Sequence, residues 1–198
     1  MGYDRCDHTH LIEDRTRIAI ALLINLFVVP LEIWGGIFSG SFSLLSDGFH
    51  MTSHLALLSF ACFVETKKKY EFYSVFLNSL FLIRLAMFMF CGALWRIFSP
   101  AEILGATMLW ISCVGLFGDI VQIFLMYPAS RDHSRNMMSI FAHTLSDASF
   151  SFAIVVGAIC VYFWKISGID AVVLLVFFPQ VFIWGLKLTK EIFCWEKK

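Results

Sequence analysis

Long apolar stretches are the feature of this 198-residue chain that most restricts its fold. Each is long enough for a helix to cross a hydrocarbon core of about 30 Å, which takes roughly 20 residues. Backbone amides inside a bilayer must find their partners within the segment, so a stretch of this kind forms a helix. The sequence therefore predicts an all-α integral membrane protein with six transmembrane helices, over residues 17–38, 42–65, 72–97, 102–127, 137–164 and 169–190.

The composition supports a membrane protein and excludes other classes. Hydrophobic residues make up 59% of the chain and charged residues 15%, whereas soluble domains average about 45–50% and about 25%. The net charge is zero and no long basic run occurs, so nucleic acid is not an expected partner. The six cysteines form no CxxC pair, which predicts neither a disulfide framework nor a cysteine-based zinc site.

Polar segments divide the chain into three parts and indicate which side of the membrane each end of the chain faces. We expect a tail of residues 1–16, a six-helix domain of residues 17–192 and a tail of residues 193–198. Basic residues concentrate in the segments on one side of the membrane, which places both termini in the cytoplasm. We therefore expect a multi-pass protein that lies in the lipid bilayer of the cell (inner) membrane.

Turn-forming residues predict where some of the helices end. Ser-Gly-Ser at 39–41 predicts a tight turn between the first two helices. Because proline disrupts a helix, Pro100 and Pro128 are expected to end the third and fourth helices.

Two pairs of metal-ligand side chains lie inside apolar segments: His50 with His54, and His143 with Asp147. Residues four apart share one face of a helix. At a rise of about 1.5 Å per residue, His50 and His54 lie roughly 13 and 20 Å below the outer boundary. On the same rise, His143 and Asp147 lie roughly 10 and 16 Å from the inner boundary. The two helices run antiparallel, so His50 comes level with Asp147 and His54 with His143, which predicts one shared site near the midplane.

The chemistry of this set favours a transition metal. Three imidazoles and a carboxylate suit tetrahedral Zn²⁺, whereas calcium and magnesium prefer oxygen ligands. Ligands must lose their protons to bind metal, so metal and protons compete for the same atoms. This predicts a metal/proton antiporter. A single intramembrane histidine is often a packing residue, but two pairs at matched depth argue against that alternative. The chain has no HExxH motif and the site no open position, which disfavours an enzyme.

Further polar residues lie near these pairs along the chain. Asp47, one turn outward of His50, is expected to support a ligand or to act as an exit gate. Asp119, deep in the fourth helix, is expected either to form a structural ion pair with Arg84 or to take part in proton coupling. Glu32 is interpreted as a rim or packing acid of the first helix.

Other polar residues lie farther from the two pairs. Asn25 and Gln122 are expected to hydrogen-bond between helices. The N-terminal tail offers a set that either captures metal on the cytoplasmic side or has no role: Cys6, Asp7, His8 and His10.

The sequence around these residues resembles the cation diffusion facilitator family, which exports Zn²⁺ and related divalent ions. Residues 39–51 (SGSFSLLSDGFHM) resemble the family's "SGSLALLADAxHM" stretch. Residues 136–147 (NMMSIFAHTLSD) resemble its "NxxxxAxxxHxxxD" start of the fifth helix. Glu32 with the following Gly35 and Gly36 resembles "VExxGG", and Asp170 resembles the Asp that opens the sixth helix. The resemblance covers about residues 15–192.

The resemblance implies a Zn²⁺/H⁺ antiporter that works as a homodimer and alternates between inward-facing and outward-facing states. His50, His143 and Asp147 match the family's ligands, whereas His54 stands where the family usually has Asp. Zn²⁺ is the expected transported substrate, with Cd²⁺, Co²⁺, Ni²⁺, Mn²⁺ and Fe²⁺ as alternatives. The family's C-terminal cytoplasmic metal-binding domain is expected to be absent, so the dimer would form through the transmembrane helices. The alternative function is a non-transporting or heteromeric metal-binding regulatory subunit.

Overall fold

The chain folds into six long helices in the computed structural model. It describes residues 3–63, 68–131 and 135–195, and the side chains of residues 16–53, 55, 76–128, 141 and 144–190. The helices are α1 (Tyr3–Ser39), α2 (Phe42–Phe63), α3 (Lys68–Phe98), α4 (Gly105–Arg131), α5 (Arg135–Trp164) and α6 (Gly168–Trp195). The predicted all-α, six-helix architecture is confirmed.

Five helices in the described part of the chain are long and apolar enough to cross a membrane. These spans are Thr16–Ser39, Phe76–Phe98, Gly105–Pro128, Thr144–Trp164 and Gly168–Lys190. The remaining helix, α2, has 22 residues, which is also sufficient length. It carries Asp47, His50 and His54 among its apolar residues, and so holds two of the four predicted metal ligands.

Several helix boundaries differ from the sequence prediction, and two of the differences have a clear physical reason. Helix α1 begins at Tyr3, so most of the polar segment 1–16 continues the first span as helix. That segment contains no glycine or proline after residue 2 to interrupt a helix. Helix α4 passes through Pro128 and ends at Arg131, so the predicted stop at Pro128 was wrong. A proline close to a helix end removes few hydrogen bonds, and membrane helices tolerate it.

The two ends of the bundle can be told apart by their loops and their tryptophans. The connections 40–41, 99–104 and 165–167 lie at one end, which the distribution of basic residues predicts to be the outer one. Four exposed tryptophans lie near this outer end: Trp34, Trp95, Trp110 and Trp164. Tryptophan is enriched where hydrocarbon meets water, so these side chains mark the outer interface of the membrane.

The helices form a group of four with a pair packed beside it. Helix α1 contacts α2 and α4, and α5 contacts α4 and α2, so these four helices enclose a common interior. Helices α3 and α6 pack mainly on each other and contact the group through α2 and α5. Fully buried side chains such as Leu44, Met89 and Leu174 fill the junction between the group and the pair.

One buried carboxylate holds the start of α2 at the outer end. Asp170, at the beginning of α6, is 0% exposed. It accepts hydrogen bonds from the backbone N–H groups of Phe42 (3.0 Å) and Ser43 (3.2 Å), and from the hydroxyls of Ser41 (2.7 Å) and Ser43 (2.5 Å). The first N–H groups of a helix lack partners within it, and the helix N-terminus favours negative charge. Asp170 therefore caps α2 from another helix.

Arg96 of α3 completes this cluster. Its Nε lies 3.7 Å from Asp170 Oδ2, its guanidinium lies 5.2 Å from the centre of the Phe42 ring, and it donates a hydrogen bond to the Gly40 carbonyl. Gly40 has a φ of 74°, a left-handed conformation that glycine adopts without steric cost. The ion pair of Arg96 with Asp170 thus joins α2, α3 and α6 at the outer end and fixes where α2 enters the bundle.

Replacing Asp170 with asparagine should destabilise the protein strongly. The variant Asp170→Asn keeps the shape of the side chain but leaves the Arg96 charge buried without its carboxylate. Breaking a buried ion pair on one side costs about 3–5 kcal/mol. Thermal unfolding of the purified protein in detergent should therefore begin at a clearly lower temperature than for the wild type.

Glu102→Gln is the matched control, because Glu102 is an exposed acid in the neighbouring α3–α4 connection. It should unfold like the wild type. Replacing Arg96 with Met in the Asp170→Asn background should restore part of the lost stability by removing the unpaired charge. Equal unfolding temperatures for wild type and Asp170→Asn would contradict this role of Asp170.

Candidate metal site

His50 of α2 and Asp147 of α5 come together in the interior of the four-helix group. The Nε2 atom of His50 lies 3.3 Å from Oδ1 of Asp147, and each residue is 7% exposed. Both residues come from the two i,i+4 pairs of the sequence, and they are the two that the helical rise places level with each other. The structure therefore brings one residue of each pair into contact.

The other residues of the two pairs are His54 and His143, whose side chains lie outside the described residues. Their backbone positions are helical, one turn along α2 from His50 and one turn along α5 from Asp147. Among the described side chains, no three or more His, Cys, Asp or Glu residues are grouped so that they could hold a metal ion. The four-ligand metal shell therefore stays a prediction.

A second set of buried polar groups joins α2, α4 and α5. The hydroxyl of Ser151 lies 3.0 Å from Asp47 Oδ2 and 2.6 Å from Asp119 Oδ2. Asp47 and Asp119 are each 2% exposed. This arrangement gives Asp119 a hydrogen-bond donor on α5, and it places Asp47 beside α5 as well.

The predicted partner of Asp119 was wrong. Arg84 lies exposed on α3, whereas Asp119 is buried and hydrogen-bonds with Ser151. The physical reason is the order of the helices in space, since α4 packs against α1 and α5 while α3 packs mainly against α6. Hydropathy predicts which segments cross the membrane, but it does not predict which of them are neighbours.

Glu32 of α1 also points into this interior and is 2% exposed. Its Cβ lies against Gly48, the residue that follows Asp47, and its carboxylate lies against Gly115, one turn before Asp119. A side chain at Gly115 would occupy the space of the Glu32 carboxylate, whereas one at Gly48 would meet Ile33 first. The interpretation of Glu32 as a packing acid is therefore incomplete, because its buried carboxylate interacts electrostatically with those of Asp47 and Asp119.

Ser151 is the polar residue that the sequence analysis missed. Its spacing offered a signal, because His143, Asp147 and Ser151 follow one another at intervals of four and so form one stripe along α5. A serine in an apolar helix usually donates a hydrogen bond to a neighbouring helix, and here its hydroxyl contacts two carboxylates.

One further expectation is confirmed, and another stays untested. The predicted hydrogen bond between helices is confirmed: Gln122 Nε2 donates to Asn25 Oδ1 at 2.8 Å and joins α4 to α1. The predicted N-terminal set of Cys6, Asp7, His8 and His10 has side chains outside the described residues.

Comparison with known proteins gives the family. The cation efflux transmembrane domain matches residues 18–193, which is most of the chain. The chain belongs to the cation efflux family. The resemblance to cation diffusion facilitators is thereby confirmed, and the match is to membrane transporters rather than to enzymes.

Curated relatives are similar to the chain over the same region. Zinc transporter ZitB of Pectobacterium atrosepticum is 28% identical over 180 residues, which cover 84% of this chain and 56% of the relative. The cadmium, cobalt and zinc/H⁺-K⁺ antiporter of Bacillus velezensis is 26% identical over 189 residues, or 86% of this chain and 60% of the relative. Metal cation efflux system protein CzcD of Cupriavidus metallidurans is 26% identical over 194 residues, or 89% and 60%. The chain thus spans a little over half the length of these relatives.

Proposed function

We propose that this chain moves a divalent metal cation, with Zn²⁺ as the expected substrate, across a membrane in exchange for protons. The observation that carries the proposal is the contact between His50 and Asp147, 3.3 Å apart and buried between two membrane helices. Ionisable side chains in a bilayer are costly and mark ion pathways or proton relays. The family of the chain and the metals in its relatives' names agree with a metal ion as cargo.

The proposed metal shell consists of His50, His54, His143 and Asp147. Three imidazole nitrogens and one carboxylate oxygen fit the four-coordinate geometry of Zn²⁺. Imidazole ligands also bind other transition metals, so Cd²⁺, Co²⁺, Ni²⁺, Mn²⁺ and Fe²⁺ remain alternative substrates of the same site. The site needs no redox chemistry, because its task is to bind an ion on one side of the membrane and release it on the other.

Proton exchange follows from the same ligands. They bind a metal only in their deprotonated forms, so a proton gradient can drive metal release on the side where protons are abundant. When the ion leaves, the four ligands lose its positive charge in a low-dielectric interior, and bound protons can replace that charge. We propose that the helices alternate between inward-facing and outward-facing arrangements around this site, in a homodimer formed through the transmembrane helices.

Removing either described ligand should slow transport. In liposomes that contain only this chain, a pH gradient and an internal zinc dye, Asp147→Asn and His50→Ala should each slow Zn²⁺ uptake. Loss of one ligand should weaken metal affinity at least about tenfold, since even outer partners of metal ligands contribute 10–100-fold. Measuring the initial rate of dye response at limiting Zn²⁺ checks this.

Glu102→Gln should transport like the wild type, because Glu102 is an exposed acid far along the chain from both ligands. Unchanged uptake in Asp147→Asn would contradict the proposed site. The assay contains this chain alone, so robust wild-type uptake would also argue against the alternative of a non-transporting or heteromeric regulatory subunit.

Replacing His54 with aspartate should change both metal preference and pH dependence. Carboxylates suit harder ions such as Mn²⁺, so His54→Asp should raise the ratio of Mn²⁺ to Zn²⁺ transport. An imidazole takes up a proton near neutral pH, whereas a carboxylate stays ionised to lower pH. Zn²⁺ binding by the wild type should therefore fall more steeply between about pH 7 and pH 5 than binding by His54→Asp. Identical metal ratios and pH profiles would exclude His54 from the metal shell.

A further inference from the structure

The arrangement around Ser151 leaves a place for one more hydrogen. A hydroxyl carries a single hydrogen, so Ser151 can donate to only one of the two carboxylate oxygens that it contacts. The contacts of 3.0 Å to Asp47 and 2.6 Å to Asp119 are both of hydrogen-bond length. The second contact is favourable only when a carboxyl group supplies the other hydrogen.

Glu32 gives independent support for a bound proton. Its Oε2 atom is buried and has no hydrogen-bond partner among the described residues, and one oxygen of Asp47, Oδ1, is in the same condition. An ionised carboxylate buried without donors is strongly unfavourable, and such groups take up a proton instead. Two carboxyl groups, from α2 and α4, therefore share one hydroxyl, and the Glu32 carboxyl of α1 interacts electrostatically with both.

The charged groups that face this acid cluster come from every neighbouring helix. Glu32 interacts electrostatically with Asp47, Asp119 and Asp147, and Asp119 also interacts with His50. The cluster is thus close enough to the proposed metal ligands to respond to the charge of an ion bound there. A divalent cation between His50 and Asp147 would favour the ionised forms of Asp47 and Asp119.

We propose that Glu32, Asp47 and Asp119, bridged by Ser151, form a proton-binding site separate from the metal ligands. The site holds a proton when the metal is absent and releases it when the metal binds. The positive charges of the bound metal and the bound proton then repel each other across the two sites. This repulsion adds to the competition of metal and protons for the ligand atoms themselves. By linkage, a bound proton must weaken metal binding by the same factor by which bound metal weakens proton binding. This inference rests on the proposed transport function for the metal that occupies the neighbouring site.

Infrared spectroscopy can detect this proton directly. The purified full chain in lipid nanodiscs at neutral pH should show the C=O stretch of a protonated carboxylic acid without metal, and Zn²⁺ should remove it. Asp119→Asn should lack the band, whereas Glu102→Gln should keep it. Ser151→Ala retains all three carboxyls and should shift the band, because the hydrogen bond to the hydroxyl is lost, whereas Ser149→Ala should not, because Ser149 is an exposed serine on the same helix.

A second measurement counts the protons. Adding Zn²⁺ to the wild type in weakly buffered solution should release one more proton per metal than adding it to Asp119→Asn. A band that is unchanged in Asp119→Asn, Asp47→Asn and Glu32→Gln, or an equal proton count in wild type and Asp119→Asn, would overturn the proposal. The proposed metal site is tested separately, since unchanged Zn²⁺ uptake in Asp147→Asn would contradict that site.

Discussion

Polar side chains inside a membrane cost free energy unless they find partners, and their contacts join four of the six helices. Three described contacts cross between these helices: His50 with Asp147, Ser151 with Asp119, and Gln122 with Asn25. These contacts connect α1, α2, α4 and α5, the four helices that form one group. The same residues that hold the group together line its interior, so the packing and the proposed ion path have a common cause.

The outer end supplies the fixed point from which α2 runs inward. Asp170 caps α2 from α6, and Arg96 neutralises that carboxylate from α3, so the pair of helices outside the group positions the helix that carries His50. The register of α2 sets the depth of His50, and with it the pairing to Asp147 on α5. This anchor at one end of α2 thus fixes the position of the proposed metal ligand His50 along the helix axis.

The sequence could predict the helices and the depth of the paired residues, because both depend on hydropathy and on the constant rise of a helix. It could not predict the neighbours of each helix, so Arg84 was wrongly expected beside Asp119. The end of α4 was also misplaced, since Pro128 proved compatible with one more turn. Glu32 looked like a rim acid because only the packing of α1 against Gly48 and Gly115 shows that its carboxylate is enclosed.

X-ray absorption at the zinc edge tests the proposed metal site, because it measures the ligands of the bound ion in the purified, zinc-loaded protein. Three imidazoles and one carboxylate should give four nitrogen or oxygen ligands at about 2.0–2.1 Å, with the multiple scattering that imidazoles produce. A sulfur shell at about 2.3 Å would place the metal on cysteines instead. That result, or a six-coordinate shell of oxygens without imidazole scattering, would contradict the site of His50, His54, His143 and Asp147.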